Sequence, residues 1–309
     1  MLAYFHAVHW PRIRTLIRLG AWLAAVLLAL SLILYVVALQ LFARAGEYRP
    51  QLERQISATL SAPVRIEHLE ATWQGLRPEF TLTGVRLQDP AQPARELLLI
   101  PRIRIEPALR QSLLQLALRF NVRVEGLSLG ISQSERGEWR VDELAMLPAG
   151  SDESRKKAVK WVLSQAEWRL ADTRLRVSAY SQPAALLDKL QIINRNGRSR
   201  HQLRVNGKLA GVGPVRLMAD MTASDVLSLS RWSGTVFASL PEHEWSAWLP
   251  ALDGISASRL HAGIQAWLEL GEGSIGSAYV RVQATELDAV IRERSLHVAH
   301  TLLDASYRR

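Results

Sequence analysis

Gly271-Glu272-Gly273-Ser274-Ile275-Gly276 has the spacing G-x-G-x-x-G, which closes a backbone onto a pyrophosphate when a strand precedes it and a helix comes after it. The next residues, SAYVRVQATEL, alternate like a strand instead, so the segment reads as a hairpin loop. His297 and His300 are three apart, and a strand would place them on opposite faces, away from a shared metal. His243 and Glu244 stand alone in a polar loop. No G-x-S-x-G elbow, P-loop, H-E-x-x-H or paired-carboxylate arrangement occurs. The absence of cysteine removes disulfides, thiolate zinc sites and a cysteine nucleophile. The expectation is no catalytic residue, no metal site and no cofactor, hence no enzyme.

The elements behind these residues carry more information. The formal charge of +9 comes from 38 basic against 29 acidic residues, nearly all the basic ones arginine and scattered along the chain. A nucleic-acid binder concentrates such charge, so no nucleic-acid partner is expected; the arginines read as a solvated face. Residues 19–43, between Arg18 and Arg44, carry no charge and only Ser31 and Gln40 as polar side chains. As a helix they would reach ~37 Å, against a hydrocarbon core of ~30 Å. A cleaved signal peptide is the rival, but its apolar region is usually about 7 to 15 residues. An uncleaved anchor is therefore expected. The acid-free basic sequence before it places residues 1–18 in the cytoplasm and 44–309 across the membrane.

The rest of the chain repeats one unit, apolar-x-apolar-x-x-apolar-x-apolar. Val64 and Ile66 give way to Leu69 and Ala71; Phe80 and Leu82 give way, across Thr83-Gly84, to Val85 and Leu87. Val122 and Val124 pass across Glu125-Gly126 to Leu127 and Leu129. Trp168, Leu170, Thr173 and Leu175 repeat the step loosely, as do Val280, Val282, Thr285 and Leu287. Strand side chains have a period of two, so each slip needs an accommodated extra residue to keep both halves on one face. A β-bulge provides that, and Gly84 and Gly126 suit its left-handed form. Bulged strands side by side would build a strongly coiled antiparallel sheet with one continuous dry face.

Leu97, Leu99, Ile103 and Ile105 mark a further strand, irregular or at an edge because of Pro101. Residues 108–118 read as a short crossover helix and 144–154 as a loop. A basic helix through Val159, Val162 and Ala166 comes next, capped by Ser151 or Asp152. Further strands are expected near 203–209, 215–221, 235–240 and 260–270, with a short helix around Trp245, Trp248 and Leu249. The strand-like end, 287–309, suggests that the natural protein is longer.

The anchor followed by APVRIEHLEATWQGLRPEFTLTGVRLQDP and LLLIPRIRIEPALRQSLLQLALRFNVRVEGLSL resembles the start of the YhdP-type members of the AsmA-like family. The Ala62-Pro63 turn, the strand ending in Trp73, Pro78 before Phe80, the Gly84-Val85 step and Gln111-Ser112-Leu113-Leu114 carry the likeness. Residues 160–209 and the region of Trp245 and Trp248 continue it faintly. The resemblance implies an inner-membrane protein whose periplasmic β-groove moves phospholipid towards the outer membrane, with other envelope proteins as further partners. The catalytic inventory stays empty.

The expected fold is thus mainly β: a transmembrane helix, then an elongated open groove with a few short helices. A sixteen-carbon chain leaving a bilayer for water would cost on the order of 13 kcal/mol at ~0.8 kcal/mol per CH₂, a barrier that a dry groove removes. Phe80, Leu82, Val85, Leu87, Leu97, Leu99, Ile103, Ile105, Val122, Val124, Leu127 and Leu129 are the expected lining. The alternative is a membrane-tethered scaffold or assembly factor for outer-membrane proteins, whose dry face binds protein rather than lipid.

Overall fold

The computed structural model describes residues 22, 25, 26, 28, 29, 44–74, 77–145, 160–162, 164–179, 184–223, 228–246, 255–291 and 294–308. The chain forms two compact units, Met1–Tyr48 and Arg49–Arg309. In the first, Trp22, Ala25, Val26, Leu28 and Ala29 are helical and exposed, and Ala45–Tyr48 forms a 3-10 turn. The rest of the expected 19–43 span lies outside the described residues, and among those described no helix is long and apolar enough to cross a membrane.

The second unit contains fourteen described strands in one open sheet. Strands β1 (Val64–Gln74), β2 (Arg77–Gln88) and β3 (Glu96–Pro107) lead to β4 (Phe120–Glu125), β5 (Ser128–Gln133) and β6 (Trp139–Val141). After them come β7 (Glu167–Ser178), β8 (Ala185–Asn196), β9 (Arg200–Leu209), β10 (Gly213–Ala223) and β11 (Trp232–Glu244). The last three are β12 (Ile255–Gly271), β13 (Ser274–Ile291) and β14 (Arg294–Arg308). The helices are short: α1 (Arg49–Leu60) and α2 (Leu109–Gln115). The order is β1-β2-β3-β4-β7 and then sequential to β14, with β5 beside β7 and β6 beside β5.

The sheet is not wholly antiparallel. β7 runs parallel to β4 and β5, because the segment after β6 returns to the end where β4 began. α2 is no crossover, since it joins the antiparallel neighbours β3 and β4. The loop expected over 144–154 and the start of the basic helix lie mostly outside the described residues; 160–162 and 164 are helical.

The slips coincide. Pairing of β1 with β2 holds one register from Val64↔Leu87 to Gln74↔Arg77, although both strands change phase, at Glu67 and Gly84. β2 and β3 likewise keep step on either side of Gly84 and Pro101. β4 and β5 hold the same parallel offset to β7 across Gly126 and Asp172. An extra residue at each slip was the expectation, and for β1 to β5 it is corrected. These neighbours kink on one transverse line, with Gly84 at φ +62° and Gly126 at +74°. Asp172 and Lys189 continue the left-handed backbone at +51° each. True one-residue bulges occur further on: Lys189 and Leu190 together face Gly207, β11 gains a residue between Leu240 and His243, and Thr285 is extra against β12.

α1 closes the outer edge of β1. Ser57 Oγ accepts a hydrogen bond from Val64 N (2.8 Å), Glu53 Oε1 accepts one from Ile66 N (2.8 Å), and Arg49 donates to the Glu67 carbonyl (2.8 Å). The i, i+4, i+8 spacing puts these three side chains on one helix face, so they occupy backbone groups that an edge strand would otherwise present for pairing. Leu52 and Ile56 of the same helix pack on Val64, Ile66, Leu82, Val85 and Leu87. At the other edge β14 pairs on one side only, and all of its residues except Val298 and Thr301 are exposed.

Candidate functional site

One ladder row crosses the whole sheet without a polar side chain. It runs Leu69↔Leu82↔Ile103↔Val124 through the first strands. It continues Leu170↔Ile192↔Val205↔Leu217 and ends Ala238↔Ala266↔Val280↔Ala305. Twelve strands at ~4.8 Å make this stripe about 53 Å long. The next row on the same face, from Ala71 and Phe80 through Ile105, Val122, Trp168, Leu203, Ala219, Val236 and Leu268, is interrupted only by Asn194. The slip line keeps Val64, Ile66, Val85 and Leu87 on this face too.

The expected lining residues divide into two groups. Leu82, Val85, Leu87, Val122, Val124 and Leu127 are buried in two packed clusters, where side chains of neighbouring strands and α1 cover them. Phe80, Leu97, Ile103, Ile105 and Leu129 are half-buried. Leu99 is corrected: it is exposed and lies on the opposite face, while Leu98 and Ile100 pack inward. The β3 unit is Leu98-x-Ile100-x-x-Ile103-x-Ile105, slipping at Pro101 like its neighbours.

The part of the dry face left most open was not singled out from sequence. Leu203, Val205, Leu217, Val236, Ala238 and Leu268 are half-buried, and among the described residues no second layer packs over them. Their alternation within β9 to β12 was the available signal. One corner of this face is polar. His201 is buried, 5.3 Å from the Trp232 ring, with Nδ1 2.8 Å from Asn196 Oδ1, and burial pushes the imidazole pKa down, favouring the neutral form.

The other face is wet where β3 to β9 cross it. Glu125 pairs with Arg102, Arg104 and Arg123 at 3.4, 3.3 and 2.7 Å, and Glu167 pairs with Arg169 and Arg195 at 2.7 Å each. The arginines of these pairs reach solvent while both carboxylates are half-buried, so the pairs keep the face soluble. Over β10 to β13 the same face turns aromatic: Phe237 and Trp267 lie 5.2 Å apart, and Trp267 and Tyr279 5.3 Å. A cavity of about 840 Å³ is lined by this aromatic row, by Asp220, Glu269 and Ser277, and by the intervening strand positions Val236 and Leu268. The aromatic residues occupy the polar phase of their strands, which is how sequence could have found them.

The remaining chemical candidates resolve into structure. Gly271 pairs with Ser274 around Glu272 (φ +50°) and Gly273 (φ +71°), so the glycine-rich segment is a two-residue hairpin turn. His297 contacts Asp288 on the neighbouring strand, and among the described residues no cluster of three or more His, Asp or Glu could hold a metal. His243 and Glu244 end β11 rather than forming a loop. Burial raises the Glu244 pKa, but hydrogen bonds from Ser246 and Leu260 outweigh it and leave the group below its ordinary value. Trp245 is buried, with Nε1 donating to the Ala262 carbonyl at 2.8 Å, while Trp248 and Leu249 lie outside the described residues.

The profile of the YhdP protein family matches residues 6–308. The chain belongs to the YhdP family. No curated protein and no solved structure matches it. The strands that carry the apolar row, Val64 to Arg308, lie within the matched residues.

Proposed function

We propose that this chain carries phospholipid acyl chains along its dry face, as a periplasmic groove domain anchored in the inner membrane by residues 19–43. The observation that carries the proposal is the apolar row from Leu69 to Ala305, which no second layer covers over β9 to β12 among the described residues. A tail lying along it meets only aliphatic side chains, which supply solvation without a hydrogen bond to hold the passenger in place. The charged face opposite, over β3 to β9, keeps that part of the sheet in water. No step of this passage requires a catalytic group, and the proposed partners are phospholipid, the inner membrane and other envelope proteins, not nucleic acid.

A photo-crosslinking residue at Val236 or Leu217 should give lipid adducts in cells, and one at Arg216, exposed on the opposite face, should give none. A charge at Val236 can still reach solvent, so Val236→Asp should fold and lose adducts at Leu217. Adducts to protein without lipid at both dry-face positions would overturn the conduit and favour the scaffold.

A further inference from the structure

The connection from β3 to β4 exposes five leucines within ten residues. Leu109 is 55% exposed, Leu113 76%, Leu114 73%, Leu116 93% and Leu118 77%, and α2 buries no residue. Soluble surfaces scatter single apolar residues, but a contiguous patch marks a contact site. The patch is held in place. Ser112 Oγ accepts from Arg119 N (3.0 Å), and Ala108 N donates to the Arg119 carbonyl (2.8 Å), closing the loop at its base. Beside it, Phe120 N donates to Gln165 Oε1 (3.2 Å) and Ala166 N to the Phe120 carbonyl (2.9 Å), which brings the turn carrying Trp161 to the same end of the sheet. Trp161 is 52% exposed.

We propose that this loop inserts its leucines into the interfacial region of a phospholipid bilayer. Charge supports that occupant: Arg110 and Arg119 lie within the same connection, Lys160 precedes Trp161, and no acidic residue occurs between Glu106 and Glu125. Basic residues beside an apolar surface match anionic headgroups, and an exposed indole belongs at headgroup depth. A protein partner would favour aromatic anchors in shaped pockets, where leucine is under-represented, whereas fluid lipid demands no shape. The loop lies at an end of the strands, off the apolar row, so this contact and the conduit can fail separately.

The chain has no cysteine, so single labels are available. Leu113→Cys and Leu116→Cys, each carrying the fluorophore NBD, are made in the full chain reconstituted into phosphatidylethanolamine–phosphatidylglycerol vesicles. Ala94→Cys, exposed at the other strand end, is the control. Brominated lipid in the host vesicles, or in vesicles added afterwards, should quench positions 113 and 116 and spare 94; the two arms tell the anchoring bilayer from a second one. Arg110→Gln should weaken quenching, and Leu113→Ser should reduce it at 116 without loss of folded protein. Equal quenching at all three positions, or none at 113 and 116 in both arms, overturns the proposal, whatever the crosslinks at Val236 show.

Discussion

Pro101 and Gly126 meet across β3 and β4 on the slip line, where a Cβ on Gly126 would lie 3.0 Å from the proline ring. Gly126 thus combines a left-handed backbone, φ +74°, with a close approach. Gly211, at φ +73° with open space around it, has the backbone alone. Gly211→Ala should cost about 1–2 kcal/mol of strain. Gly126→Ala should lower the urea midpoint further, and Pro101→Ala should restore only the difference. Equal midpoints for the two glycine variants would refute the contact.

Neighbouring residues on β3 separate the two faces. Ile100 packs against both clusters of the first strands, whereas Leu99 is 40% exposed beside Arg86. Ile100→Asp should cost roughly 3 kcal/mol or more, from lost packing and an unpaired charge. Leu99→Asp should stay within ~0.5 kcal/mol of the parent. Thermal melts of the two proteins check this.

The edge closure can be opened with one substitution. Glu53→Ala leaves the Ile66 N–H without its acceptor, at a cost of about 1–3 kcal/mol. It also frees part of the β1 edge for pairing, so light scattering should show concentration-dependent association absent from the parent.

Glu106 supplies a pH dependence. Burial, then the hydrogen bond that the protonated Glu106 carboxyl donates to the Glu79 carboxylate, and then the Glu79 charge, raise the Glu106 pKa above the ordinary 4.5. A carboxyl raised in the folded state stabilises most below its unfolded pKa and loses that contribution as pH rises through the folded value. Glu106→Gln should therefore raise the melting temperature relative to the parent at pH 7 and give little gain at pH 4. The opposite ordering would show that the carboxylate is stabilised rather than strained.

The strand unit was legible because its phase change is written in residue order: Phe80, Leu82, Val85 and Leu87 cannot share a face without a kink. β3 hid the same unit, since Leu97-Leu98-Leu99-Ile100 is apolar in both phases and a run without alternation has no parity to read. Pro101 was the remaining clue. Sequence also identified the glycines that need left-handed backbone and the hairpin at Glu272-Gly273, because turn chemistry is local. It could not show that Glu67, Gly84, Pro101 and Gly126 form one line, which depends on which strands pair and in what register. That pairing turned separate bulges into a shared kink, buried Val124 while leaving Val236 open, and placed the α2 leucines beyond the reach of any core. Burial is a property of what neighbours in space, and in this sheet the neighbours are set by ladder register rather than by residue order.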